Sequence, residues 1–378
     1  MQNLRARWLS QAAFIYFFVL FGAGVFVSAQ STDKEKNKIE SKEQNIETDD
    51  EVVRVDTTLV INGVQVLDRK GRFVKGLKKN DFIVTENNEP QTIESFALGD
   101  DALIPRSIVL IIDYSGSQRY YIDTSVEAAK TLIDKLNPRD KIAILTDDVR
   151  LLSNFTRDKE LLKKRLDTLK TLSQTKQYGA SMQYSALLAA LKNLFGKEDI
   201  RPIVIFQTDG DEFSWVQTKR FTFDDVLKAV EKAKVTIYSV IPGQKFIGAS
   251  KKEQERLAKY EILNPQGRNS AQANYTAVDN SDLPEDVVKA YVKTMLTQHS
   301  ALAQVAKTSG GFTDYIRTPD EAGAMYSRIL RGINDLYVIG YYPANQTRDG
   351  RRRTVKVEVL GHPEYNVSGL KTYSAPGN

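Results

Sequence analysis

The 378-residue chain has no cysteine and only two histidines, His299 and His362. Disulfides, thiolate metal sites and cysteine nucleophiles are therefore excluded, and a zinc site of imidazole and sulfur has almost no material. Any bound ion must be a hard one held by oxygen. Charge of one sign is scarce too. With 53 basic and 48 acidic residues the formal net charge is +5, too small and too scattered for a nucleic-acid footprint. The triplet Arg351–Arg353 sits beside a turn and reads as a solvated hairpin end.

Long apolar runs are almost as scarce. The one that stands out, "AAFIYFFVLFGAGVFV", follows Arg5 and Arg7 and precedes "VSAQ". A basic start, an apolar stretch and small residues at its end read as an export signal over residues 1–29, cleaved after Ala29. Left uncleaved, the same run would anchor the chain in a membrane, although it falls short of the roughly 20 residues a bilayer span wants. Both versions predict an extracytoplasmic protein, whether periplasmic, held in the cell envelope or secreted. Residues 30–51 carry only Ile39 and Ile46 as large apolar side chains. That is too little to offset chain entropy, and it predicts a flexible tether.

From residue 52 to 100 the apolar period is two. "VVRVDTTLVINGVQVLD" reads as one or two strands, "KGRFVKGL" as a short strand, and "DFIVTENNEPQTIESFAL" as a hairpin turning at Glu86–Pro90. Residues 333–378 have the same character, in "DLYVIGYYPAN", "RTVKVEVLG" and "YNVSGLKTYSA". Neither flank can build a core alone. We expect them to pair into one Ig-like β-sandwich of about seven strands, the alternative being two small sheets each packed on the centre.

The centre, residues 104–332, alternates strand and helix, with strands at "SIVLII", "KIAILT", "PIVIFQT", "VTIYSVI" and "GFTDYI". Val126, Ala129, Leu132, Ile133 and Leu136 share one helical face, and Leu162, Leu166 and Leu169 another. The fold class this predicts is α/β, a doubly wound, mostly parallel sheet covered on both faces, with the β-sandwich beside it. Residues 243–300 read as a surface insertion holding one helix, "SKKEQERLAKYEIL".

In such a sheet, ligands bind beyond the carboxyl ends of the strands. Three segments place polar groups there. Asp113, Ser115 and Ser117 follow the first central strand, Asp209 follows "PIVIFQT", and Ser181 precedes the helix "QYSALLAAL". Two carboxylates and three hydroxyls suit magnesium or manganese, and calcium also fits. Each piece alone is ordinary, since an aspartate after an apolar strand is often a helix cap and "TDG" is a common turn. Asp147, Asp148, Asp211 and Glu212 read as turn or solvated loop charges, and both histidines as structural or exposed.

"DYSGS", "GASMQYSAL" and "TDGDE", in this order on this alternation, resemble a von Willebrand factor A domain with its metal-ion-dependent adhesion site. The flanks "VLDRKGRFVKGLKKNDFIVTENNEPQTIESF" and "DLYVIGYYPAN" are similar to the VWFA-related family of acidobacteria and other exported bacterial proteins. The resemblance implies that Ser115 and Ser117 bind the ion through their hydroxyls, while Asp113 and Asp209 act through water. Ser181 stands where the family usually has threonine. The implied function is a non-enzymatic module that binds a protein ligand when an Asp or Glu of that partner completes the ion's shell. Of the rivals, a haloacid-dehalogenase-type phosphatase would need a second aspartate where Ser115 stands. A serine hydrolase would need G-x-S-x-G and an activating histidine. A structural envelope protein with a vestigial site would share the fold without the ion.

Overall fold

Val60, Val64 and Val66 alternate with half-exposed neighbours along Val60–Leu67 (β1), the mark of a strand with one face on a core. The computed structural model describes residues 59–101, 103–196, 199–210, 212, 221–264 and 282–377. The export signal, the tether and residues 52–58 lie outside these. Among the described residues no helix is long and apolar enough to cross a membrane.

After β1, Phe82–Glu86 (β2) and Glu89–Gln91 (β3) form a hairpin whose two turn residues, Asn87 and Asn88, both take positive φ (50° and 70°). Asparagine tolerates that left-handed geometry, which matches the twist of a two-residue hairpin. Ile93–Leu98 (β4) follows. "KGRFVKGL" makes a single bridge, Leu67 to Phe73, and no strand.

The central region runs Arg106–Ile112 (β5), Ile122–Lys135 (α1), Lys141–Thr146 (β6), Leu151–Thr156 (β7), Lys159–Gln174 (α2), Gln183–Ala189 (α3), Arg201–Gln207 (β8) and Phe223–Ala233 (α4). Thr236–Pro242 (β9), Lys251–Leu263 (α5), Glu285–Thr308 (α6), Thr313–Ile316 (β10) and Ala322–Asn334 (α7) complete it. The sheet order is β10-β9-β8-β5-β6-β7, parallel except for β7, which pairs antiparallel with β6 at the edge. Every residue of β5 is buried. Ile108, Leu110 and Ile112 face a core shared with α1, α2 and α7, and Val109 and Ile111 face one shared with α3, α4 and α6. Helices thus cover both faces of the sheet. The next strand in sequence, β6, lies on one side of β5, and β8 on the other. The open end of the sheet between them is the switch point.

Two features differ from the expectations. The edge strand β7 is too polar to announce itself. The 243–300 insertion ends inside α6, a 24-residue helix that buries Val288, His299, Leu302 and Val305. The second half of α6 is a layer of the fold, and the connection from β9 to β10 holds two helices.

Tyr337–Tyr341 (β11), Arg352–Val359 (β12), Asn366–Ser368 (β13) and Thr372–Ser374 (β14) return to β1–β4. Two four-stranded antiparallel sheets result, β13-β1-β11-β4 and β14-β12-β2-β3. They share a core of Val60, Val64, Phe82, Val84, Tyr337, Ile339, Val355 and Tyr373. There are eight strands because "YNVSGLKTYSA" splits into β13 and β14, one in each sheet. The Glu86 carboxylate lies in this core and accepts hydrogen bonds from Tyr341 Oη at 3.0 Å and Tyr373 Oη at 2.7 Å.

The chain enters and leaves the central region at the amino end of β5. Arg106 is buried, donates through Nε to Asp140 Oδ2 at 2.9 Å, and also bonds Asn334 at the end of α7. Arg201, next to it, donates to the carbonyls of Gly99 and Ile333. Burial, with Arg106 nearby, pushes its pKa down to about 10.

Candidate metal site

The strand β5 ends at Ile112, and Asp113 follows with no exposed surface. Its backbone N–H still donates to Gln207 O of β8, so Asp113 continues the sheet by one rung. Its Oδ1 accepts Ser115 N at 2.9 Å. Oδ2 accepts Gln183 Nε2 at 2.7 Å and Thr208 Oγ1 at 3.0 Å. One carboxylate therefore ties the β5 loop to the start of α3 and to the loop after β8. Burial pushes its pKa well up, and the neighbouring Asp209 and Asp147 carboxylates push it further.

Beyond Asp113 the chain makes a single 3₁₀ turn over Gly116–Gln118. Ser115 Oγ and Ser117 Oγ lie 3.1 Å apart, and Ser117 Oγ donates to Asp209 Oδ2 at 2.6 Å. Ser115 is buried and Ser117 exposed, so the hydroxyl pair points from the sheet toward solvent. Asp209 sits in the loop between β8 and Gly210, whose φ of +85° turns the chain sharply. The ring of His299, on α6, hydrogen-bonds the backbone of Asp209. This imidazole is 3% exposed and stacks on Phe246 with ring centroids 4.6 Å apart. Burial lowers its pKa to about 3, so it is neutral.

Ser181 reaches the same strand ends by a different route. Asp147, the first residue after β6, is fully buried. It accepts Tyr114 N at 3.0 Å and Ser181 N at 2.8 Å. Ser115 and Gly179 form a parallel bridge beside it. Asp147 is the expected turn residue, with Val149 N closing the turn on Thr146 O at 3.0 Å, yet its side chain points inward. It stitches the Ser181 loop to the Asp113 loop, and burial raises its pKa to about 6. Ser181 has φ +53°, in the left-handed region. Among the described residues its hydroxyl takes no hydrogen bond.

Asp113, Ser115, Ser117 and Asp209 are therefore joined by direct or relayed hydrogen bonds. Ser181 is held beside them by its backbone. Glu212 differs from the expectation of a solvated charge, since its carboxylate accepts Tyr184 N at 2.7 Å at the start of α3. Asp211 lies outside the described residues. Asp148 accepts Tyr114 Oη at 2.7 Å. His362 belongs to the sandwich, where it lies 3.1 Å from Glu364.

The sequence reading missed three contributors besides Asp147. Gln183 and Thr208 hold Asp113, and Gln118 Nε2 donates to Asp209 Oδ2 at 2.6 Å. The Oε1 atoms of Gln118 and Gln183 are buried without a partner. Their signal, an amide where a buried loop or helix start would otherwise be apolar, is legible only once the fold is known.

These residues fit a hard divalent ion. The Asp113 carboxylate feels the charges of Asp147 and Asp209, and every hydrogen bond to the side chains of Asp113 and Asp147 comes from a neutral group. Among the described residues no three histidine, aspartate or glutamate side chains form a metal-ligating group. An ion here would depend on hydroxyls.

No curated protein sequence matches the chain. Among solved structures, a von Willebrand factor type A protein from Catenulispora acidiphila is 12% identical, over 86% of this chain and 75% of that one, with a TM-score of 0.41. Proximal thread matrix protein 1 from the mussel byssus, with a zinc-occupied MIDAS motif, is 15% identical over 61% of this chain, with a TM-score of 0.38. This chain spans 48% of that protein's length. The vWF domain of the type V pili tip protein Mfa5 from Porphyromonas gingivalis is 12% identical, over 61% and 95%, at 0.35. From the first central strand to the Asp209 loop, residues 108–212 match the family model of the von Willebrand factor type A domain.

Proposed function

We propose that the chain is a non-enzymatic, extracytoplasmic module that binds a protein ligand through a Mg2+ or Mn2+ ion, with Ca2+ as a further candidate. Ser115, Ser117 and Ser181 would hold the ion through their hydroxyls, and Asp113 and Asp209 would act one shell out. The observation that carries this reading is the excess of negative charge at one strand end. Asp113 is fully buried beside Asp147 and Asp209, and its three side-chain donors, Ser115 N, Gln183 and Thr208, are all neutral. Unpaired buried charge is costly, and a cation bound in the same place offsets it. An ion held mainly by neutral hydroxyls stays electron-poor and keeps affinity for an outside carboxylate.

What the protein's own residues supply is position. The rigid end of β5 fixes Asp113, Asp147 fixes the Ser181 loop, and His299 holds Asp209. The type A domain match over this segment supports the same reading. A serine hydrolase would need a histidine on Ser115 or Ser117, and among the described residues none bonds either hydroxyl. A carboxylate-bearing partner and a location outside the cytoplasm follow from the ion chemistry and from the export signal read at residues 1–29.

The test is Mn2+ and Mg2+ binding by the chain and by Asp113→Ala, measured by calorimetry. The same pair is then assayed for a partner captured from cell-envelope extract, with magnesium or with chelator. Ion binding by the parent chain that Asp113→Ala abolishes, together with capture lost in chelator, is the expected result. A parent chain without ion affinity would favour a structural envelope protein instead.

A further inference from the structure

Gln118 follows the Asp113–Ser117 motif directly, and its side chain is 2% exposed. Its backbone is fixed on both sides, with Gln118 N donating to Ser115 O at 3.0 Å and Tyr121 N donating to Gln118 O at 2.8 Å. The amide reaches back into the site. Nε2 lies 2.6 Å from Asp209 Oδ2 and 3.4 Å from Ser117 Oγ. These two groups come from different loops, and both belong to the candidate ion site. Its other end, Oε1, is buried and has no partner.

This orientation is favourable as it stands. An N–H pointed at Asp209 partly offsets the carboxylate's charge. A carbonyl oxygen in that place would face a carboxylate and be repelled. With a divalent ion bound by Ser117 the amide would gain more by presenting its carbonyl oxygen, a good hard ligand, than its N–H. The two ends of a primary amide have nearly the same shape, so a half-turn about χ3 exchanges them within the same volume. The turn gives up the Nε2–Asp209 bond and buries the NH2 where Oε1 was, a cost that the oxygen–ion contact would have to exceed, while it relieves an oxygen left buried and unsatisfied.

We propose that Gln118 is a further ligand of the ion, turning its amide to present Oε1 when a divalent cation enters. The proposal rests on the ion-site reading above. It adds a neutral oxygen in place of a water. That favours ions that accept many protein oxygens and shed water readily, calcium and manganese, over magnesium, which keeps its waters.

The experiment uses the full chain and Gln118→Leu, with metal alone as the probe. Mn2+ affinity is read from the spin-resonance signal of the free ion, and Ca2+ and Mg2+ by competition. Side-chain amide resonances of the parent chain are followed by NMR as Mg2+ or Ca2+ is added. Gln118→Leu is expected to weaken Mn2+ and Ca2+ binding about tenfold or more, and Mg2+ binding less. The Gln118 NH2 pair should shift on ion addition as it leaves Asp209. Equal or tighter ion binding by Gln118→Leu, or an NH2 pair that does not move, overturns the proposal. Should the variant fail to fold in a thermal melt, the NMR measurement on the parent chain decides alone. A parent chain that binds no divalent ion sinks the ion-site reading and this proposal together. Ion binding indifferent to Gln118→Leu sinks only the latter.

Discussion

The carboxylate of Asp147 fills the space in front of Gly179, where an added β-carbon would lie 2.2 Å from either carboxylate oxygen. No side chain can occupy that position unless Asp147 moves, and Asp147 holds Tyr114 N and Ser181 N. Gly179→Ala should therefore undo the stitch between the two loops. Leaving two buried N–H groups without an acceptor costs about 1–3 kcal/mol each. The measurement is chemical denaturation together with Mn2+ affinity. Asp147→Ala should reproduce both losses, and a Gly179→Ala protein with parental ion affinity would contradict the stitch.

Asp113 is held as a buried carboxylate against two others, so without an ion its charge opposes folding. Asp113→Asn keeps the size and removes the charge. In chelator the relief from lost charge is offset by an amide N–H set against a donor, so its melting temperature is expected to stay at or below that of the parent chain. Magnesium at a hundred times its dissociation constant should stabilise the parent by about 2.7 kcal/mol and the variant not at all. Differential scanning calorimetry with and without magnesium gives all four numbers.

Ser181 sits at φ +53°, a conformation that strains β-branched residues. Placing threonine there should therefore not improve this site. Ser181→Thr is expected to lower stability, because its β-branch crowds the backbone in a conformation that serine already occupies. Ser181→Gly should fold at least as well as the parent while losing ion affinity through its missing hydroxyl. Melting curves and Mn2+ titrations of the two variants separate backbone strain from ligand loss.

His299 is neutral in the fold, with a pKa lowered to about 3 against an ordinary 6.5. The unfolded chain takes up this proton first, so the contribution is complete above about pH 6.5 and is lost as pH falls toward 3. The slope approaches about 1.4 kcal/mol per pH unit in that window. Asp147, with its pKa raised to about 6, works in the opposite sense and gains stability as pH falls from 6 toward 3.8. His299→Phe should remove the first effect alone. Denaturation midpoints between pH 7 and pH 4 should then fall less steeply for the variant than for the parent chain.

The parts of the site visible in the sequence are those that a strand end displays locally. Asp113, Ser115 and Ser117 follow an apolar run, and Asp209 follows another. Asp147 follows a third such run in the same way, but its partners are Tyr114 and the Ser181 loop, each more than 30 residues away. Only the register of β5 on β6 brings them together. Gln118 and Gln183 escaped notice because a neutral amide gives no charge signal. The helix α6 escaped notice because ahead of His299 it buries only Val288, and His299 itself interrupts the apolar face. The sandwich was legible as two sets of alternating residues, yet the splitting of the last run between sheets depends on a bend that alternation does not encode.

The strand β1 lies between β11 and β13, both contributed by the far end of the chain. Tension on the segment ahead of Val60 would thus have to shear a strand bonded along both edges, a geometry that resists far better than peeling one edge. The sandwich joins the α/β region at the amino end of β5, and Asp113 lies at the other end, roughly 20 Å away along a seven-residue strand. A pull between the two ends would run along the most deeply buried strand of the molecule.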